Sequence, residues 1–203
     1  MNPAKIRLSA TELELVTNAD WILTKNGIIQ KVKNMLEALQ AEQQDYLAKE
    51  KINFPAELIN PLPKISKGEN YKGLPYLVLD HPRYFDKENV FAVRTLFWWG
   101  NFFSTSLHLS GSCKELFQQQ VTGAFPRFAS NDFFLCINDE QWEHHFEKDN
   151  YKPVREITKE EFEHLLARKS FIKLAQKNPL QHWDEIPTRL FTGFKKIMEI
   201  LKA

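Results

Sequence analysis

The sequence predicts an α+β fold, in which a small, mainly antiparallel sheet packs against N-terminal and C-terminal helices. Apolar residues recur at helical spacing in residues 28–39 and again in residues 190–201. Between these ends lie apolar runs rich in β-branched and aromatic residues, which are typical of strands: PYLVLD, FFSTSLHL and DFFLCIN. Helices that flank a strand-rich centre indicate one α+β domain over residues 1–203.

The N-terminal part, residues 1–50, is predicted to be helical. Ser9 and Glu12 have the spacing of a capping box, in which each side chain binds a free backbone N–H group at a helix start. A longer helix follows through Ile28 and Leu39, and Gly27 weakens the case that it extends back to Trp21.

Residues 53–75 are predicted to be a connector, because four prolines and two glycines interrupt any regular element there. Residues 76–157 form a mixed α/β centre. Within it, residues 86–99 fit a strand by composition, yet Asp86 and Gly100 stand where a helix cap is expected. We therefore expect a helix over residues 86–99.

Further helices are predicted from Ser112 to Gln120 and over DEQWEHHFEK, which follows Asn138. YKPVREI is expected to be an edge strand, because proline cannot donate to a sheet ladder. The C-terminal part, residues 158–203, is predicted to contain a helix from Thr158 to about Asn178 and a last helix over 187–202.

The composition excludes several classes of partner. The chain has 27 basic and 26 acidic residues, a net charge of +1, so we expect no nucleic-acid partner. No run approaches the roughly 20 apolar residues that cross a bilayer, and the N-terminus lacks a signal-peptide apolar region. Cys113 and Cys136 are isolated in sequence, which favours two reduced thiols and a cytoplasmic protein.

Polar residues follow the predicted strand PYLVLD. Asp80 and His81 have the types of a base and its orienting partner, and Arg83, Arg94 and His108 are candidate anion partners. Successive strand residues point to opposite faces, and an Asp-His-Pro sequence also favours a simple turn. If the protein has a polar site, we expect it where this strand meets loop 64–73.

Loop 64–73 is basic and contains glycines, with Lys67 as its candidate binding residue. Gly68 and Gly73 have the spacing of the first half of a P-loop, but Leu74 and Pro75 replace the lysine and hydroxyl residue that reach phosphate and magnesium. An anion contact and an ordinary surface loop are the alternatives here.

Arg94 is the only charged residue between Val90 and His108. A buried guanidinium requires a partner, so we expect a structural ion pair with Asp80, Asp86 or Glu115.

Two further groups have a functional and a structural interpretation. Glu140, His144 and Glu147 would share one helical face, which suits metal ligands or the polar side of an amphipathic helix. Trp98 and Trp99 suit a stacking platform or a core, and the lack of interleaved basic residues favours the core. We expect neither a metal nor another cofactor.

Three segments carry a resemblance to a known family: PKISKGENYKGLPYLVLDHPRYF, VRTLFWWGNFF and LELVTNADWILTKN. They resemble a family of uncharacterised bacterial proteins of similar length, a domain of unknown function. The resemblance implies a bacterial, cytoplasmic protein and assigns no activity, cofactor or site residue.

Two hypotheses for function follow. The first is a cytoplasmic domain that binds a partner protein or a small ligand. The alternative is a hydrolase-type enzyme or an anion-binding site near the end of strand 75–80. The alternative requires at least three of its polar residues to converge in one cleft with a shifted histidine or carboxylate pKa. Homo-oligomerisation is left open.

Overall fold

A computed structural model describes residues 6–50 and 54–202. Residues 1–5, 51–53 and 203, which belong to the predicted segments 1–50, 53–75 and 158–203, lie outside the described residues. Within the described chain, no helix combines the length and the apolar character that crossing a membrane requires.

The helices are α1 (Ala10–Thr17), α2 (Ala19–Lys49), α3 (Ala56–Ile59), α4 (Gly111–Gly123), α5 (Phe125–Ser130), α6 (Lys159–Arg168) and α7 (Ile186–Leu201). The strands are β1 (Lys64–Tyr71), β2 (Leu74–Phe85), β3 (Val90–Trp98), β4 (Phe102–Ser110), β5 (Phe134–Cys136), β6 (Tyr151–Pro153) and β7 (Phe171–Pro179). Short 3₁₀ helices span Val154–Glu156 and Leu180–Glu185.

The strands form one seven-stranded sheet in the order β1-β2-β3-β4-β7-β5-β6, in which every neighbouring pair is antiparallel. Helices precede and follow this sheet in the chain, so the predicted α+β class is confirmed. The capping box of Ser9 and Glu12, the strands PYLVLD, FFSTSLHL and DFFLCIN, the edge strand at YKPVREI and the last helix are all present.

The predicted connector 53–75 differs from the structure, because it contains strand β1. Its prolines Pro55, Pro61 and Pro63 all precede this strand. A tight turn then joins β1 to β2, with positive φ angles of 49° at Lys72 and 82° at Gly73. This is the backbone that a short hairpin turn needs, so the glycine marks a turn between strands.

The predicted helix over residues 86–99 is wrong, since strand β3 occupies this region. The side chain of Asp86 accepts hydrogen bonds from the backbone N–H groups of Glu88 and Asn89, at 2.8 and 2.6 Å, and so builds the β2–β3 turn. Gly100, with φ of 71°, lies in the β3–β4 turn. Asp86 and Gly100, which resemble helix caps in the sequence, therefore form the turns of two hairpins. β3 is buried on both faces, so its sequence does not alternate.

A second predicted helix is confirmed only in its first part, and a third is wrong. The helix from Thr158 ends at Arg168, and the expected remainder forms strand β7 in the middle of the sheet. Residues 139–148 form no helix; residues 137–150 cross the sheet as an irregular chain, which we call the crossing segment.

The main core lies between the sheet and its helices. On this helical face, α2 places Val32, Leu36 and Leu39 against β2, β3 and β4. Helices α4, α6 and α7 cover the rest, and Phe194, Ile197 and Met198 of α7 are fully buried. Within the described residues, the crossing segment covers part of the opposite face of the sheet, which we call the open face.

Candidate functional site

A cleft of about 560 Å³ lies on the open face beside the crossing segment. Its floor comes from β1, β2 and β3, and its side wall comes from the crossing segment. The lining residues are Lys64, Ser66, Tyr71, Tyr76, Val78, Asp80, Arg83, Phe85, Arg94, Leu96, Trp142 and His144. The volume falls within the range of small-molecule sites.

An irregularity in β2 brings Asp80 and Arg83 to the same face. Asp80 pairs with Arg94 of β3, whereas Arg83 pairs with Ala92, so two residues of β2 oppose one residue of β3 between these pairs. Simple alternation would have placed positions 80 and 83 on opposite faces. The bulge thus adds the Arg83 guanidinium to the cleft, as bulges commonly redirect a side chain near a site.

Arg94 and Asp80 form the ion pair at the centre of the cleft. Nε of Arg94 donates to Oδ1 of Asp80 at 2.7 Å, and Nη2 donates to Oδ2 at 2.9 Å. The side chains are 15% and 9% exposed, so the pair is largely removed from water. The Arg94 guanidinium also lies 5.6 Å from the ring centre of Trp142. The predicted structural ion pair of Arg94 is confirmed, with Asp80 as its partner.

Tyr71 and Lys173 hold the crossing segment against the sheet. The Tyr71 hydroxyl accepts the backbone N–H groups of His144 and His145, at 2.7 and 3.1 Å, and donates to Glu143 at 2.8 Å. The Lys173 amine donates to the carbonyls of Gln141 and Glu143, at 3.0 and 2.6 Å. The half-buried Tyr71 and the buried Lys173 therefore satisfy backbone groups that a helix would have paired internally, and residues 139–148 form no helix.

The hydrogen bonds around His144 indicate that Lys173 is neutral. Nδ1 of His144 lies 3.1 Å from the Lys173 amine, and Nε2 lies 3.3 Å from Nη1 of Arg94. Arg94 and a charged lysine can only donate hydrogen bonds, so both would need an acceptor nitrogen on His144. A neutral imidazole offers only one acceptor nitrogen, so the two contacts conflict. A neutral Lys173 resolves the conflict, because it donates to both carbonyls and accepts from Nδ1–H of His144.

Burial acts in the same direction as this hydrogen-bond count. Lys173 is 1% exposed, and burial, aided by the charge of Arg94, lowers its pKa to about 7. Burial, together with the positive charges of Lys173 and Arg94, holds the pKa of His144 well below its usual value. Above about pH 7 both groups are therefore uncharged, with the His144 proton assigned to Nδ1 from the network.

The cleft therefore has a positive surplus and aromatic walls. Lys64, Arg83 and Arg94 face one carboxylate, that of Asp80. Arg83 uses Nε to bind the carbonyl of Leu62 at 3.0 Å, and its terminal nitrogens form no hydrogen bond with the described residues. The aromatic lining consists of Tyr71, Tyr76, Phe85 and Trp142.

Tyr76 takes its position because Gly68 lies beneath it. A Cβ atom built on Gly68 would come within 2.4 Å of the Tyr76 ring, closer than any real contact. Only glycine at position 68 lets the ring cross β1 and form a wall of the cleft. The glycine therefore shapes an aromatic wall rather than a phosphate loop.

The structure brings three of the predicted binding residues into the cleft, Asp80, Arg83 and Arg94, and places the other three elsewhere. Lys67 pairs with Leu77, on the opposite face of β1 from Ser66, and is exposed. His81 faces the helices, with Nδ1 3.1 Å from the side-chain oxygen of Gln43, and burial lowers its pKa to about 4.

His108 is the third residue outside the cleft, although it lies on the open face. It is buried beneath the crossing segment, where Nε2 lies 2.9 Å from the side-chain oxygen of Gln141. Burial, with added repulsion from Lys173 and Arg94, lowers its pKa to about 3. Asp80 and His81 point to opposite faces of β2, so they do not form a base and its orienting partner.

The residues considered as metal ligands do not share a helical face, because their segment is irregular. Of this set, His144 lines the cleft and is bound to Lys173 and Arg94. In residues 6–50 and 54–202, no group of three or more His, Cys, Asp or Glu side chains could hold a metal.

The tryptophan pair separates across the sheet. Trp98 is 7% exposed and packs on the open face with Tyr71 and Phe102. Trp99 is half-buried on the other side, against Phe97. Both are packed against other rings, as the core interpretation predicts.

Three aromatic residues of the cleft are absent from the candidates that the sequence suggests: Tyr76, Phe85 and Trp142. Lys64 and Tyr71 belong to loop 64–73, for which the sequence leaves an anion contact open, and His144 is one of the candidate metal ligands. One available signal was the register of a β1–β2 hairpin around the Lys72-Gly73 turn, which places Lys64 opposite Asp80. Trp142 and His144 gave no such signal, because tertiary contacts position them.

Comparison with known proteins gives no match to this chain. No family model fits the sequence, and no curated protein or solved structure is significantly similar to it. The geometry of the cleft therefore carries the functional argument.

Proposed function

We propose that the cleft binds a small organic anion that carries a planar ring. Its charged group would lie between Arg83, Lys64 and the outer edge of Arg94. Its ring would lie against Tyr76, Phe85 or Trp142. A carboxylate or phosphate on a ring compound fits this chemistry, because guanidinium groups recognise both with paired hydrogen bonds.

The observation that carries this proposal is the set of cationic donors that face the cleft without a protein partner. A guanidinium has five N–H donors, and Arg94 uses three of them, two on Asp80 and one on His144. Arg83 uses only its Nε, on Leu62. Lys64 makes no ion pair with any described residue. An anion would satisfy these donors and would offset the positive surplus of the cleft.

The hydrolase alternative has less support. Three of its residues converge with a histidine of shifted pKa, but that histidine is His144, and its pKa is lowered. His144 would have to accept a proton between Lys173 and Arg94, so it is a poor general base. Asp80 is likewise held by two hydrogen bonds from Arg94.

A titration with phenyl phosphate tests the proposal, with tryptophan fluorescence as the readout because Trp142 lines the cleft. Inorganic phosphate lacks the ring and benzyl alcohol lacks the charge, so both should bind more weakly. Arg83→Gln should weaken the binding of phenyl phosphate by about ten-fold or more, the usual effect of losing a charged hydrogen bond. Phenol release from the same samples, followed over time, measures hydrolysis directly.

Arg127→Gln is the matched control, since Arg127 is an exposed arginine whose partner is Glu199, outside the cleft. It should leave the affinity for phenyl phosphate unchanged. Equal losses in the two variants, equal affinity for phenyl phosphate and benzyl alcohol, or no binding at about 10 mM would contradict the proposal. Phenol release that depends on His144 would favour the hydrolase alternative.

We also propose that this binding takes place in a bacterial cytoplasm. The support is the family resemblance of the sequence, together with Cys113 and Cys136, which are both free and buried. Free buried thiols suit a reducing compartment.

A further inference from the structure

The first part of the described chain is an arm without a core. In residues 6–24, the N-terminal arm, every residue is exposed, and α1 buries none of its side chains. Yet this arm carries eight large apolar residues with exposed fractions between 41% and 72%. They are Ile6, Leu8, Leu13, Leu15, Val16, Trp21, Ile22 and Leu23.

The apolar stripe of α2 continues into this arm beyond the sheet. Val32 and Leu36 pack on the sheet, and partly buried residues extend their stripe back to Lys25. Lys25 pairs with Glu69, at 2.9 Å, beside the β1–β2 turn that ends the sheet at this corner. One helical turn earlier, Ile22 and Trp21 occupy the same stripe and are 41% and 44% exposed. The apolar stripe of α2 therefore extends beyond the edge of the sheet.

The exposed apolar area is large enough for a stable interface. The eight side chains present on the order of 800 Å², which is about one partner's share of a standard protein–protein interface. Single exposed apolar residues are common on soluble proteins, but eight large ones within the nineteen residues 6–24 are a concentration that marks an interaction surface. Elsewhere in the described chain, the large exposed apolar residues are Leu62, Leu116 and Trp142, which are scattered.

We propose that the arm packs antiparallel against the arm of a second copy of this chain. The scattered apolar residues elsewhere offer no patch to receive it, so a second copy must present its own arm. The two arms then form a two-fold interface, which closes at a dimer. This inference is independent of the ligand proposed for the cleft.

The charges of the arm favour the antiparallel direction. Arg7 lies near one end of the arm and Asp20 near the other. Antiparallel pairing brings each arginine to the aspartate of the other copy, whereas parallel pairing places like charges together. Glu12 is already held by Ser9 in the capping box, at 2.7 Å, where it faces the start of its own helix.

Sedimentation velocity on the full chain tests this dimer. Wild type should sediment as a dimer at about 10–100 μM, and the double variant Leu13→Glu, Ile22→Glu should sediment as a monomer, a loss of affinity of about 100-fold or more. Leu62→Glu is the matched control, because Leu62 is 80% exposed outside the arm. It should remain a dimer. None of these side chains is buried within its own chain, so circular dichroism should show a fold unchanged in each variant.

Charge reversal tests the direction of pairing. Arg7→Asp and Asp20→Arg should each weaken the dimer by about ten-fold, and the chain that carries both changes should recover wild-type affinity. A wild-type chain that stays monomeric at about 100 μM, or Leu62→Glu and the arm variant dissociating alike, overturns the proposal. If the chain with both reversals dimerises no more tightly than either single variant, the antiparallel arrangement is overturned.

Discussion

Arg94 and Asp80 lie directly opposite each other on β3 and β2, and their side chains share two hydrogen bonds of 2.7 and 2.9 Å. This pair combines two functions that are usually separate. It neutralises two largely buried charges on the open face of the sheet, and it fixes the guanidinium so that its remaining donors face the cleft. Breaking it should therefore affect both the stability of the fold and the cleft.

Asp80→Ala should destabilise the protein by about 3–5 kcal/mol, the usual cost of leaving one partner of a buried pair without its counter-charge. Denaturant unfolding measures this loss. Asp45→Ala is the control, because Asp45 pairs with Lys49 at the surface of α2 and is 76% exposed. It should change the midpoint little, and equal losses in the two variants would contradict the role of the central pair.

Lys173 should make the protein more stable as the pH rises from 7 to about 8.5. In the folded chain its pKa is about 7, whereas the ordinary lysine value is 10.5, so the unfolded chain binds more protons between these values. The free energy of unfolding therefore rises with pH across that window, by up to about 1.4 kcal/mol per pH unit. Above pH 8.5 the cysteines oppose this trend, since burial raises the pKa of Cys136.

The variant Lys173→Met should remove this slope between pH 7 and 8.5. Lys177→Met is its control, since Lys177 lies on the same face of β7 as Lys173 but is exposed, with its amine 5.2 Å from the centre of the Phe102 ring. Chemical denaturation at several pH values measures both. The same slope in wild type and Lys173→Met would show that Lys173 is charged in the folded protein.

His81 should contribute to acid unfolding. Its folded pKa of about 4 lies below the ordinary histidine value of 6.5, so the unfolded chain binds the extra proton between these values. The stability that results is present above pH 6.5 and is lost as the pH falls towards 4. His81→Gln should reduce the loss between pH 6.5 and 5, whereas His164→Gln, at an exposed position on α6, should not.

The fold was predictable from the sequence where one local pattern settles the structure. The last helix has one apolar stripe. The strand FFSTSLHL begins with two phenylalanines, and the Ser and Thr residues that follow are poor helix formers. Strand β7 was not predictable in this way, because its partners β4 and β5 are distant in sequence. Their pairing overrides a local pattern that also fits a helix.

The cleft was predictable only in part, because two non-local features build it. The bulge at positions 80–83 places Arg83 beside Asp80, and strand alternation alone gives the opposite answer. The crossing segment brings His144 next to Arg94, which is fifty residues earlier in the chain. Nothing local in its sequence reveals that Lys173 and Tyr71 would replace helical hydrogen bonds there.

The two adjacent tryptophans should differ in their contribution to stability. Trp98 is 7% exposed, and its indole N–H donates to the carbonyl of Tyr71 at 3.2 Å. Trp98→Ala should therefore cost about 3–5 kcal/mol of unfolding free energy. Trp99→Ala should cost clearly less, because Trp99 is only half-buried. A larger loss for Trp99 in denaturant unfolding would contradict the packing described for β3.

Helix α7 should be required for a cooperative fold, because it closes the core on the helical face. Phe194, Ile197 and Met198 are fully buried in the cluster that includes α4, α6 and the sheet. Leu190 is fully buried in the cluster that α2 forms with the sheet. A chain that ends at Glu185 would expose this surface, so we expect an insoluble or molten protein with exposed apolar groups.

The variant Phe194→Ala measures how much the packing of α7 contributes to the free energy of unfolding. This variant should remain folded and lose about 3–5 kcal/mol of unfolding free energy. Glu199→Ala, on the exposed side of the same helix, should change the unfolding free energy little. A truncated chain that unfolds cooperatively at the full-length midpoint would show that the sheet and α2 form a sufficient core.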